Sequence, residues 1–125
     1  MKKEVMIVDD DPGIRRTVSL VLQPCGFQVV PAEDGATCLE SLRRGFRGVI
    51  LMDIMMPGLN GWQTVRGITS EGLHENNLIC MLTTIVEPGS EGEDLQEWVF
   101  DYLPKPFGVE SLRGMVENAF RCLET

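Results

Sequence analysis

The stretch EVMIVDDDPG, residues 4–13, passes in one step from an apolar run to three aspartates and then to Pro12. A short apolar run bounded this way reads as a buried strand, and Pro12 is favoured in the first turn of a helix that follows at once. The same transition recurs along the chain: GVILM (48–52) ends at Asp53, LICML (78–82) at Thr83, and DYLP (101–104) at Lys105. Apolar runs at 4–8, 27–30, 49–52, 78–82 and 101–104 alternate with segments of helical period. This alternation predicts an α/β fold, a doubly wound five-stranded parallel sheet with helices on both faces. Parallel strands carry their C-terminal ends on one edge, so Asp9, Asp10, Asp53, Thr83 and Lys105 are expected to meet in one pocket there.

The helices follow from spacing and capping. The first starts at Pro12, carries Ile14, Val18, Val21 and Leu22 on one face, and stops at Pro24 and Gly26. Asp34 is placed to cap a second helix bearing Leu39 and Leu42 that ends by Gly45, and Asn60 to cap a third with Trp62, Val65 and Ile68 inward. A polar loop is expected over 72–77. Val109, Leu112, Val116, Ala119 and Leu123 mark the core face of the last helix. The segment EPGSEGEDLQEWVFD (87–101) has poor helix propensity until about Glu93, which predicts one short, late-starting helix with Leu95, Trp98 and Val99 on its apolar side.

Composition bounds the class. A chain of 125 residues can bury roughly two-thirds of its unfolded surface, so one domain over 1–125 is expected. A net charge of −8 argues against non-specific binding to nucleic acid or to an anionic membrane surface. The apolar run near the N-terminus is too short for a signal-peptide core, and no window approaches the ~20 apolar residues of a membrane span. Cys25, Cys38, Cys80 and Cys122 form no Cys-x-x-Cys pair, and His74 is the single histidine. They read as reduced thiols in a cytoplasmic protein rather than as a metal site or disulfide framework.

Three carboxylates held close together repel one another, and a divalent cation relieves that repulsion. Hard oxygen ligands without nearby histidine or cysteine suit magnesium, which keeps several waters and leaves room for a phosphate oxygen. The alternative for the Asp9–Asp11 triplet is a solvated turn in which Asp10 or Asp11 caps the helix at Pro12. Asp53 admits no such explanation, because it lies between apolar residues and the next helix starts several residues later. A carboxylate can attack a phosphoryl group and carry it as an aspartyl phosphate, and a cation and a hydroxyl such as Lys105 and Thr83 then neutralise and bind its oxygens. Lys105 lies between Pro104 and Pro106. A cis bond before Pro106 would aim it over the sheet edge, but base rates leave the isomer open.

VDD at 8–10, LMDIMMPGLNG at 51–61, the strand end at Thr83 and KPF at 105–107 together resemble the response-regulator receiver domain of two-component signalling, the CheY-like fold. The resemblance covers the whole chain and rests on the ordered set of motifs. It implies a flavodoxin-like sheet of order 2-1-3-4-5 with five helices. It further implies that Asp53 is the phosphoacceptor, that Asp9, Asp10, Asp53 and the backbone carbonyl of Met55 bind magnesium, and that Thr83 and Lys105 contact the phosphoryl oxygens. Tyr102 matches the aromatic switch that turns inward when Thr83 is drawn to the phosphate; packing at the sheet edge is its other reading. The implied partners are a histidine kinase or phosphotransfer protein, and a downstream protein that docks on the 90–123 face. On that face Trp98 and Tyr102 are candidate anchors, although Trp98 also reads as core.

Several positions depart from the family pattern. Thr84 stands where alanine or glycine is usual, and its bulk narrows access to the pocket. Met55 and Ile85, two residues beyond Asp53 and Thr83, are apolar where polar groups could position an attacking water, so self-dephosphorylation is expected to be slow and the chain is not read as a turnover enzyme. WVFD before Tyr102 replaces the usual Gly-Ala pair. Two other functions compete: a receiver-like module that binds partners without phosphorylation, and a magnesium-dependent phosphatase with an aspartate nucleophile. The phosphatase needs a general acid at the position held by Met55, which cannot transfer a proton.

Overall fold

The computed structural model describes residues 3–84 and 91–124. Strands β1 (Lys3–Val8), β2 (Phe27–Ala32), β3 (Gly48–Asp53), β4 (Asn77–Thr83) and β5 (Val99–Pro104) form one parallel sheet in the order β2-β1-β3-β4-β5. Five helical segments cover it: α1 (Pro12–Leu22), α2 (Gly35–Arg43), α3 (Gly61–Ser70), a 3₁₀ helix at Glu93–Trp98, and α4 (Val109–Leu123). A 3₁₀ turn, Gln23–Cys25, extends α1 and closes on Gly26 at φ 93°, a left-handed conformation that glycine adopts readily. This is the doubly wound flavodoxin-like fold. No described helix is long and apolar enough to cross a membrane, and no disulfide joins the cysteines.

Side chains alternate across the sheet and divide the core in two. Val5, Ile7, Val49, Leu51, Cys80 and Leu82 pack with Val18 and Leu22 of α1 and with Leu112, Val116 and Ala119 of α4. Met6, Val8, Ile50, Met52, Ile79 and Met81 face the other way, onto Leu39 and Leu42 of α2, Val65 and Ile68 of α3, and Leu95 of the 3₁₀ helix. All six residues of β3 are buried, as a central strand covered on both faces requires.

Local signals set the helix starts. Asp11 accepts the N–H of Gly13 ahead of α1, and Asp34 that of Thr37 ahead of α2. Asn60 and Gln63 form a reciprocal capping box on α3. Every strand reaches one or two residues beyond its expected run at one end or both, and two of these extensions have a clear cause. Asn77 is the first residue of β4 rather than part of the loop; it is buried, accepts the N–H of Gly48 at 2.8 Å and donates to the carbonyl of Leu73 at 2.9 Å, so its amide is satisfied. Strand β5 begins at Val99, two residues before the expected run, because Val99 pairs with Ile79 of β4 and ends the 3₁₀ helix at Trp98. The fourth helix is as short and late as expected; the upstream stretch with Pro88 and Gly89 lies outside the described residues.

Candidate functional site

The strand order reverses between β1 and β3, and a crevice opens at their C-terminal ends. Asp9 follows β1 directly. Its N–H donates to the carbonyl of Ala32 at 3.1 Å, and its carboxylate accepts the N–H of Asp11 at 3.0 Å. The side chain is only 1% exposed, yet it is paired: Lys105 Nζ lies 2.6 Å from Asp9 Oδ2 and 3.2 Å from Asp53 Oδ1. Asp53 closes β3 and is buried, whereas Asp10 faces solvent. Carboxylate oxygens of Asp9, Asp10 and Asp53 lie within 4.8 Å of one another.

The electrostatics follow from this packing. Burial, then the charge of Asp9, pushes the Asp53 carboxyl up to about 6, against the pull of Lys105 and of the Met55 N–H. Burial alone would depress the Lys105 ammonium, but the hydrogen bond and charge of Asp9, with those of Asp53, outweigh it and raise the pKa. Lys105 is held in place because its N–H donates to the carbonyl of Thr83 at 2.7 Å, one step beyond the β4–β5 pairing. The Lys105–Pro106 peptide bond is cis. Thr83, half-buried at the end of β4, thus stands beside the base of the lysine.

The five polar residues expected at the sheet edge therefore lie at the ends of β1, β3, β4 and β5. Three clustered hard oxygen donors, one of them resisting ionisation beside another carboxylate, match the chemistry of a magnesium site. The Met55 side chain is 64% exposed and Thr84 faces solvent, while Ile85 lies outside the described residues. Tyr102 points outward, 39% exposed; its hydroxyl donates to Gln96 Oε1, and its ring lies 6.4 Å from that of Trp62. Trp62 is core. Trp98 is not, at 36% exposed, and its ring packs at 4.6 Å on that of His74.

Other contributors were not legible as site residues. Arg15 donates to the backbone carbonyl of Asp9 at 2.7 Å; its place on α1 one turn beyond the aspartates was the available signal. Gly61 opens α3 so close to the end of β3 that a Cβ there would lie 2.4 Å from the carbonyl oxygen of Asp53, while its N–H donates to the carbonyl of Ile54 at 2.9 Å. Asn60 and Arg66 tie α3 to Glu91 and Asp94, contacts between segments that no local pattern announces.

Comparison with known proteins agrees with this geometry. Residues 5–117 match the family model described as the response regulator receiver domain. The chain is 31% identical over 121 residues to the phosphate regulon transcriptional regulatory protein PhoB of Escherichia coli (strain K12), covering 97% of this chain and 53% of PhoB. It is also 31% identical over 124 residues to the probable transcriptional regulator ycf27 of Cyanophora paradoxa, covering 98% and 50%. The chain thus spans about half the length of the curated relatives it matches. Among solved structures, a CheY-like response regulator receiver domain protein from Methanospirillum hungatei JF-1 superposes with a TM-score of 0.93 at 40% identity, covering 99% of this chain and 98% of that one. The chemotaxis protein CheY4 of Vibrio cholerae superposes with a TM-score of 0.85 at 30% identity, covering 95% and 99%.

Proposed function

The chain belongs to the response regulator receiver domain family of two-component systems, and on that footing we propose that it takes a phosphoryl group from a histidine kinase or phosphotransfer protein onto Asp53. The observation that carries this reading is the convergence of Asp9, Asp53 and Lys105 at one sheet edge, with an ammonium 2.6 and 3.2 Å from the two carboxylates. An Asp53 oxygen attacks the phosphorus, the bond from phosphorus to the donor's imidazole nitrogen breaks, and the imidazole leaves. Asp9, Asp10, Asp53 and the carbonyl of Met55 are the residues to hold magnesium. Bound there, magnesium supplies positive charge against the phosphoryl oxygens. Lys105 exchanges its carboxylate partners for a phosphoryl oxygen, and Thr83 contributes a hydroxyl donor.

Tyr102 reports the event by moving inward as Thr83 is drawn to the phosphoryl group, which changes the 90–123 face seen by a downstream protein. The domain is a phosphoacceptor rather than a turnover enzyme, acts in the cytoplasm, and releases phosphate slowly because Met55 offers no base to a water. The test is incubation with magnesium and a small phosphodonor such as acetyl phosphate, read by intact mass. A gain of about 80 Da, one phosphoryl group, is expected in the wild type and not in Asp53→Asn. No gain, or a gain that survives the substitution, refutes the assignment and favours a phosphorylation-independent interaction module.

A further inference from the structure

The 3₁₀ helix differs from the rest of the sheet cover in how it is held: Leu95 is its one buried apolar side chain, and polar contacts supply much of its attachment. Asn60 Nδ2 donates to Glu91 Oε1 at 2.6 Å while Asn60 Oδ1 caps α3, and Arg66 makes two bonds to Asp94, at 2.8 and 3.1 Å. Gly92, at φ 89°, lies flat against Trp62, where a Cβ would come within 2.3 Å of the indole. Gln96 then uses both ends of its amide. Its Nε2 donates to the carbonyl of Gly92 at 3.1 Å, and its Oε1 accepts the hydroxyl of Tyr102.

We propose that Gln96 is a latch that holds Tyr102 in its outward position, with the 3₁₀ helix anchored through Asn60 and Arg66 to the helix that begins behind Asp53. This inference rests on the reading of Tyr102 as the switch. An inward Tyr102 gives up its bond to Gln96, so the latch sets the resting population of the switch. A neutral hydrogen bond of this kind biases such an equilibrium by about threefold to tenfold. The switch and the site are coupled, so freeing Tyr102 also strengthens phosphoryl binding at Asp53, by up to the same factor. Gln96 touches no reacting atom and is a positioning residue.

Tyr102 is the chain's single tyrosine, so incorporated 3-fluorotyrosine gives one fluorine resonance at the switch. The resonance is followed in wild type, Gln96→Leu and Gln96→Glu, with magnesium and increasing beryllofluoride as the phosphoryl analogue. Without beryllofluoride, Gln96→Leu is expected to lie part way toward the loaded position and to bind beryllofluoride more tightly, by up to about tenfold. Gln96→Glu keeps an acceptor for the hydroxyl but loses the Nε2 bond to Gly92, so it is expected to lie between the wild type and Gln96→Leu. A wild type that responds while Gln96→Leu matches it in both position and affinity overturns the latch and leaves the switch intact. A wild-type resonance that ignores beryllofluoride overturns both, and the mass test above still decides the phosphoacceptor role independently.

Discussion

Lys105 Nζ donates to Asp9 Oδ2 at 2.6 Å across 96 residues of sequence, and this bond joins the last strand to the first at the edge where the chemistry is proposed. Asp9 is buried and depends on that ammonium. Lys105→Met leaves two buried carboxylates without their cation, and breaking such a pair from one side costs about 3 kcal/mol. Denaturant unfolding without divalent cations should show that loss, and added magnesium should restore part of it.

Asp53 makes stability fall as pH rises. Its carboxyl is raised from 3.8 to about 6 in the folded protein, so the folded state binds more protons than the unfolded state between those values. Stability is therefore greatest below 3.8 for this group and is lost as pH climbs through about 6. Solvent reaching the pocket reduces the effect to roughly 1–2 kcal/mol. In metal-free buffer, the melting temperature of Asp53→Asn should rise above that of the wild type as pH moves from 4 toward about 7. A constant difference across that range would contradict the raised carboxyl.

Magnesium should raise the melting temperature of the unphosphorylated protein, by an amount equivalent to about 2.7 kcal/mol at a hundred times the dissociation constant. Asp10 is the exposed member of the cluster, so Asp10→Asn should preserve the metal-free fold while shifting the magnesium titration to higher concentration. Equal titrations for the two proteins would remove Asp10 from the site.

Met55, two residues beyond Asp53, is 64% exposed, and its thioether cannot act as a base toward a water. Met55→Asn places a polar group there and should speed loss of the phosphoryl group by about tenfold, well short of a full general base. Decay is followed by intact mass after the phosphodonor is removed. A wild-type phospho-form that decays as fast as the variant would show that Met55 does not limit hydrolysis.

Apolar runs, caps and the order of polar residues at strand ends were legible because each depends on neighbours within a few positions. Asp11, Asp34 and Asn60 cap the helices they precede, and period-two burial along β1, β3 and β4 sends alternate residues to opposite faces. These local preferences alone specified the alternating α/β pattern and put Asp9, Asp53, Thr83 and Lys105 at the same ends of their strands. Folding chose the partners. The bond from Lys105 to Asp9, the grip of Asn60 on Glu91 and of Arg66 on Asp94, and the burial of Trp62 but not Trp98 all depend on segments brought together by packing. Even Gln96 and Tyr102, six residues apart, lie on different elements, and their contact exists because α3 fixes the 3₁₀ helix beside β5. A side chain's type limits what it can bind, but distance and solvent exposure decide which partner it meets, and those arise only when the sheet and its cover close together.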